Sequence, residues 1–444
     1  MTREMIDSGI EWIGEIPSNW KTSRIGSEFK VRNQKVSDKD YMPLSVTKLT
    51  EGIVPQMDQV AKSDAHDDRK LVLKGDFVIN SRSDRKMSCG VSNYDGSVSL
   101  INIVLEPVCE ILPNYTHYLL KNYAFAEEFY KWGHGIVADL WTTNSSDLKR
   151  ITVPFPNIEE QQKIVETLDK KISQIDKLIA NQEKQIEKLK AYKQLLITKV
   201  VTKGLKPDVL MKDSGIEWMG DISSKHDMIP MKYLGEIRNG LTYSPSDMAS
   251  EGEGTLVLRS SNIQNGKLNL EDNVYVSCEI KEELFVKKND ILICSRNGSK
   301  KLIGKNALID KDYRFSFGAF MMIFRTDKNA KYIYYILNSN IFSYYLGSYL
   351  TSTINQLTGS NFNNMLVPYC DNFKEQQKIV EFLDKKCLEI DSLIELKIQK
   401  NEKLQDYKKS IIYEYVTGKK VVDINGRWFD EYYVRSSCCI SIYY

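Results

Sequence analysis

From Leu168 onward the chain sets Leu168, Ile172, Ile175, Ile179, Gln182, Ile186, Leu189, Lys193, Leu196 and Val200 at alternating steps of four and three, and eight of these ten positions are apolar. That is the rhythm of a coiled-coil seam, and it predicts one helix over residues 157–204. Asn157 and Glu160 stand at capping-box spacing behind Pro154 and Pro156, while Gly204 and Pro207 supply the stop. At about 1.5 Å per residue such a helix is about 70 Å long. Elsewhere the period changes. Across residues 21–156 short runs of β type (YMPLSVTKL, LVLKGDFVIN, SVSLINIVLE) alternate with turn signals and lead into a helical stretch around residues 115–132, which predicts an α+β domain. Residues 222–369 repeat the order with LVLRSSNIQNGKL, LFVKKNDILICSR, FGAFMMIFR and the helical KYIYYILNSNIFSYYL.

The chain is therefore a duplication. EQQKIVEFLDKK at 375–386 matches EQQKIVETLDKK at 160–171 in eleven of twelve positions, 215 residues on, and the cap returns as Asn372 and Glu375. SGIEWIGEIPSNW at 8–20 is echoed by SGIEWMGDISSKH at 214–226. In the globular regions Leu44 and Leu258, Gly52 and Gly266, Asp76 and Asp290, Ser81-Arg82 and Ser295-Arg296, Gly90 and Gly304, and Val153-Pro154 and Val367-Pro368 correspond at a shift of 214, while most other side chains differ. The expected organisation is an N-terminal segment (1–20), a first α+β domain (21–156), a first long helix (157–204), a linker carrying the second SGIEW (205–221), a second α+β domain (222–369), a second long helix (370–418) and a C-terminal tail (419–444). Two amphipathic seams in one chain can cover each other, so the helices are expected to pair as an antiparallel coiled coil within a pseudo-two-fold internal repeat. The seam's polar residues Gln182, Lys193, Lys397, Asn401 and Lys408 either set the register of that pair or face solvent.

A length of 444 residues implies two or more domains, and 42% hydrophobic with 27% charged residues suits a globular protein. The net charge of +2 gives no global nucleic-acid signal, and the two α+β domains carry only +1 (18 Lys/Arg against 17 Asp/Glu) and +3 (17 against 14). Any face that meets a polyanion must then be a local patch. Eight cysteines without CxxC spacing and four histidines at no metal-ligand interval lead us to expect a reduced, cytoplasmic, metal-free chain. The start MTREMIDSGIEW has no apolar core and no run approaches the roughly 20 apolar residues of a membrane span, so neither export nor membrane insertion is expected. No Walker, GxGxxG, GxSxG or HExxH pattern occurs, nor the Asn/Asp-Pro-Pro-aromatic run of an adenine methyltransferase. Asp76 and Asp290 each precede an apolar strand and suit turn-forming roles.

The places that draw chemical interest are NSRSDRK at 80–86 and CSRNGSKK at 294–301, which occupy equivalent strand ends. Arg can address guanine bidentately, Asn adenine, and Ser and Lys phosphates. Arg82, Arg85, Lys86, Arg296, Asn297, Lys300 and Lys301 are the candidate DNA contacts on these grounds, with Lys48, Arg259 and Asn262 as weaker ones just after a strand. The same composition suits solvated charged loops, and both readings stand.

Two differing domains, each followed by an EQQKIV…LD helix, with the paired VPFPNIEEQQKIVETLDKKISQID and VPYCDNFKEQQKIVEFLDKKCLEID and the doubled SGIEW-x-G, resemble the specificity subunit of type I restriction-modification systems over residues 1–420. The resemblance implies two target recognition domains that each address half of a split double-stranded DNA site, and two conserved helices that act as a ruler between them. It further implies a non-catalytic chain, two methylation subunits that use S-adenosylmethionine, and restriction subunits driven by ATP, with no cofactor in this chain. Glu160, Gln161, Gln162, Glu375, Gln376 and Gln377, at the helix starts, are the residues it assigns to subunit contacts. A specificity protein serving methylation without restriction, or a related phage-defence complex, is the alternative. The tail beyond residue 418 has no counterpart in that pattern.

Overall fold

The computed structural model describes residues 3–57, 68–135, 141–350 and 355–421. The chain divides into two compact units, Met1–Asn181 with Gln399–Tyr444, and Gln182–Ile398. Both long helices are shared between the units. The first runs Ile158–Lys203 over 46 residues and the second Phe373–Val416 over 44. Asn157 Oδ1 accepts the Glu160 amide at 2.9 Å and Asn372 Oδ1 the Glu375 amide at 3.1 Å, so each helix has one of its orphan donors satisfied by the residue before it. Gly204 and Gly418 take positive φ and end the helices. The second helix begins at Phe373 rather than residue 370, because Leu366–Cys370 is a strand.

In the first unit the central antiparallel sheet has the order Cys89–Val91, Phe77–Asn80, Asn102–Pro107, Phe29–Val31. Phe77, Ile79, Ile103 and Leu105 on one face bury themselves against Tyr115, Leu119, Phe125 and Phe129 of two short helices and against Ile164, Leu168 and Ile172 of the first long helix. The second unit repeats this with Asn306–Leu308, Ile291–Cys294, Met321–Arg325, Glu236–Asn239. There Ile291, Ile293, Met322 and Phe324 pack on Tyr332, Ile333, Ile336 and Phe362, and on Ile197, Val200 and Val201 of the first long helix with Ile379 and Leu383 of the second. The ends of the apolar seam thus belong to the globular cores.

Asp76 and Asp290 act as turn residues, accepting the amides of Leu73 at 2.9 Å and Lys287 at 2.7 Å. Each also receives a bidentate arginine, but from different strands. Arg32, which follows the Phe29–Val31 strand, bonds Asp76 at 2.8 and 3.2 Å, whereas Arg325 at the end of Met321–Arg325 bonds Asp290 at 2.8 and 2.6 Å. A buried carboxylate needs its partner more than it needs a given backbone position for that partner.

The SGIEW repeat is a folded loop. Strand Met5–Asp7 pairs with Glu15–Pro17, and Met211–Asp213 with Asp221–Ser223. Ser8 N donates to Gly14 O at 3.1 Å and Ser214 N to Gly220 O at 3.2 Å, with Gly9, Gly14, Gly215 and Gly220 all at φ between 64° and 72°, where a β-carbon would be strained. Trp12 then packs edge-on to Phe125 in the first unit, and Trp218 stacks on Tyr344 at 3.9 Å in the second.

Within the second unit Ile186 packs with Ile390 and Ile394, Lys193 bonds Asp391 at 2.7 and 2.6 Å, and Lys397 bonds Gln182 at 3.1 Å. Numbers rise on one helix as they fall on the other, so the helices pair antiparallel. In the first unit Lys408 bonds Asp176 at 2.7 and 2.9 Å beside an apolar cluster of Ile172, Ile175, Ile179, Leu404, Tyr407 and Ile411. Polar seam residues at 182, 193, 397 and 408 therefore pair across the two helices.

Candidate nucleic-acid interface

At the C-terminal end of the Phe77–Asn80 strand the chain leaves the sheet and needs other partners for its backbone groups. Ser81 Oγ donates to Ile101 O at 2.7 Å, Thr143 N donates to Ser81 O at 3.0 Å, and Arg82 forms a β-bridge with Thr142. The second unit is wired the same way. Ser295 N and Oγ donate to Phe320 O at 2.9 and 3.0 Å, Leu357 N donates to Ser295 O at 2.8 Å, and Arg296 bridges Gln356. Three segments distant in sequence meet at one buried serine in each unit, with Arg82 or Arg296 emerging beside it. The backbone junction is the same, and the side chains it presents differ: Ile101 against Phe320, Thr142 against Gln356, Ser83 against Asn297.

Four of the predicted cations on these surfaces, Arg82, Arg85, Lys86 and Arg259, are already paired. The Arg82 fork grips Asp84 at 2.9 and 3.0 Å, with Arg85 at 3.7 Å from the same carboxylate. Lys86 bonds Glu127 and lies 5.1 Å over the Tyr123 ring, and its hydrogen bond holds the Glu127 carboxyl below the ordinary range. Arg259 pairs with Asp272 at 2.9 Å. Arg296 forms no ion pair among the described residues and lies 5.2 Å over the Phe320 ring.

Further contacts join the weaker candidates to the junctions. Lys48 is exposed on a turn closed by Thr47 N to Gly52 O at 2.7 Å. Lys121 fastens that turn to the Arg82–Lys86 loop, its Nζ donating to the carbonyls of Thr47 at 3.3 Å, Met87 at 3.1 Å and Cys89 at 2.6 Å. Burial lowers the Lys121 ammonium and pushes the Cys89 thiol up to about 11. His117 supports the same place, its Nδ1 accepting Val91 N at 3.3 Å, and burial with the nearby Lys121 charge lowers it to about 4. In the second unit Asn297 Nδ2 donates to Ser260 Oγ at 3.0 Å, tying the loop of Lys300 and Lys301, both exposed, to the Arg259–Asn262 turn.

Three predicted contacts are corrected. Asn262 is fully buried, its Oδ1 accepting Arg259 N and its Nδ2 donating to Asn269 O and Asp272 O at 3.0 Å each, so it builds the turn and cannot address a base. Gln161 and Gln376 are almost fully buried and donate to Pro156 O at 3.0 Å and Cys370 O at 2.7 Å, with Gln161 also accepting Leu112 N. Both lock a helix start onto the strand before it. Gln162 and Gln377 are exposed, while Glu160 and Glu375 pair with Arg3 at 2.6 Å and Lys225 at 3.4 Å.

Sequence reading missed Thr142, Gln356, Ile101 and Phe320. The first pair falls at the 214-residue shift and was within reach. The second falls at 219, because the connection to its strand is five residues longer in the second domain, and a constant register passes over it. The expectation for the tail at 422–444 lies outside the described residues. Among the described residues no helix is long and apolar enough to cross a membrane, and no group of three or more His, Cys, Asp and Glu is placed to hold a metal ion.

Fold and junction together define a duplicated chain, one scaffold used twice with two different sets of presented side chains. The family described as the type I restriction modification DNA specificity domain matches residues 17–188 and again 225–406, and the chain belongs to that family. It is 25% identical over 431 residues to the type I restriction enzyme MjaVIII specificity subunit of Methanocaldococcus jannaschii, covering 92% of this chain and 95% of that one. It is 26% identical over 196 residues to the type I restriction enzyme EcoKI specificity subunit of Escherichia coli, covering 43% of this chain and 42% of that one. A chain solved in work on complex assembly and conformational transition of the type I R-M system has the same fold, with a TM-score of 0.68 at 14% identity over 91% of this chain and 99% of that chain.

Proposed function

We propose that this chain is the DNA-reading subunit of a type I restriction-modification assembly, in which each α+β unit addresses one half of a bipartite site and the paired helices set the unread spacer. The observation that carries the proposal is the junction at Ser81 and Ser295: the same wiring of the serine with different side chains around it is what two readers of different sequences need. The chain supplies no catalytic group in this reading. Methylation subunits, one for each EQQKIV helix start and bearing S-adenosylmethionine, bring the chemistry, and restriction subunits driven by ATP complete the assembly. Glu160, Gln162, Glu375 and Gln377 are the helix-start residues assigned to those subunits, and Arg82, Arg85, Lys86, Arg296, Asn297, Lys300, Lys301, Lys48 and Arg259 those assigned to DNA. The near-neutral units lean on their partners for phosphate contact, since counterion release scales with the cations presented. Exchanging residues 21–156 for the matching domain of a relative tests the proposal in cells. One half of the methylated sequence should change and the other stay, and a change in both halves would refute separate readers.

A further inference from the structure

Phe320 is 57% exposed although a phenylalanine ordinarily seeks the core, and its position is not slack. Its carbonyl accepts three hydrogen bonds, from Ser295 N at 2.9 Å, Ser295 Oγ at 3.0 Å and Arg296 N at 3.1 Å, so the backbone beneath the ring is fixed while the ring stands in solvent. The Arg296 guanidinium lies 5.2 Å over one face of that ring, an arrangement that holds the fork extended without spending its donors on a carboxylate. The equivalent place in the first unit holds Ile101, 39% exposed, and Arg82 beside it is closed on Asp84.

We infer that Arg296 and Phe320 act as a coupled pair that selects a guanine and an adjoining thymine in the major groove, the arginine through the N7 and O6 acceptors and the phenyl ring through the thymine C5 methyl. The inference rests on the DNA-reading function proposed above and adds the chemistry of one dinucleotide to it. Adjacent base pairs are about 3.4 Å apart along the helix axis, so a guanidinium carbon 5.2 Å from the ring centroid, on backbone joined at one junction, brings the two groups within reach of neighbouring base pairs. Guanine is the base that accepts a bidentate arginine, and thymine the one that offers a methyl to an apolar side chain. The fixed backbone limits the ordering entropy lost on contact. Ile101 presents a smaller apolar surface and Arg82 is closed on Asp84, so among the described residues the first unit has no such coupled pair at this junction.

The test uses the chain assembled with its methylation subunits and duplexes carrying its methylated sequence. Each thymine is replaced in turn by deoxyuridine, which lacks only the C5 methyl, and each guanine by 7-deazaguanine, which lacks the N7 acceptor. The wild-type assembly should lose about fourfold in affinity at one thymine, the worth of a buried methyl, and the neighbouring base pair should hold the 7-deazaguanine-sensitive position. Phe320→Ala should bind the thymine and deoxyuridine duplexes equally, while Phe320→Leu retains part of the preference, and both should melt like the wild type because the ring is exposed. Thymine preference intact in Phe320→Ala, or a loss spread evenly over all duplexes, overturns the inference and leaves the function above standing. A wild-type assembly without any sequence preference overturns both.

Discussion

Asp84 occupies the fork of Arg82, and the proposed contact of Arg82 with DNA requires that carboxylate to be displaced. Surface ion pairs are worth about 0–1 kcal/mol, so Asp84→Asn should tighten binding to all sequences by a few tenths to about 1 kcal/mol and steepen the salt dependence by about one unit. Titrating binding at several salt concentrations checks this, and weaker binding in the variant would show that Asp84 organises the loop instead. His117 gives a second residue-level test. Burial, and after it the charge of Lys121, hold its folded pKa at about 4 against about 6.5 for an unperturbed histidine. Below about pH 6.5 the unfolded chain binds a proton that the folded chain refuses, so stability is lost as pH falls from about 6.5 to about 4, by at most about 3 kcal/mol. His117→Gln should flatten this part of the melting-temperature profile, and parallel profiles would dismiss the assignment.

The long helices carry their own terminators and joints. Asn157 and Asn372 each satisfy an amide of the first turn, so Asn157→Ala and Asn372→Ala should each cost about 1 kcal/mol in chemical denaturation, with serine restoring most of it. Equal stability of alanine and serine variants would mean that the buried Gln161 and Gln376 anchors alone fix the helix starts. The seam pattern from Leu168 to Val200 was legible in the chain, but its uniform period conceals different surroundings. Leu168 packs in the first unit's core, Ile186 against Ile390 and Ile394, and Val200 in the second unit's core. Any buried stripe shows the same spacing whatever covers it, which is why the period gave the helix and not its partners.

For the whole molecule, the ruler proposal predicts the effect of lengthening the helices. An insertion near Ile197 would shift part of the helix by about 6 Å along its axis within the core that holds Ile197, Val200 and Val201, so the informative variant adds four residues after Asn181 and four after Ile398, keeping both helices matched. Four residues add about 6 Å, close to two base-pair rises of about 3.4 Å, and keep the helical face nearly in phase. The methylated sequence in cells should gain about one or two unread base pairs with both halves intact. An active variant with an unchanged spacer would remove the helices from that role.

The amino-acid sequence by itself determined the duplication, the two α+β regions, the long capped helices and the equivalence of Arg82 with Arg296, because period, caps and repeated register are local or translational patterns. Tertiary structure decided which polar residues are free to meet a partner. Asn262, Gln161 and Gln376 read as contacts in the chain and are consumed inside the fold, whereas Ile101 and Phe320 looked like ordinary strand residues and stand exposed at the junction. The physical reason is that a hydrogen-bond donor is spent on whichever acceptor the fold brings within about 3 Å, and for Ser295 that acceptor lies at Phe320, 25 residues away at the turn before the Met321–Arg325 strand.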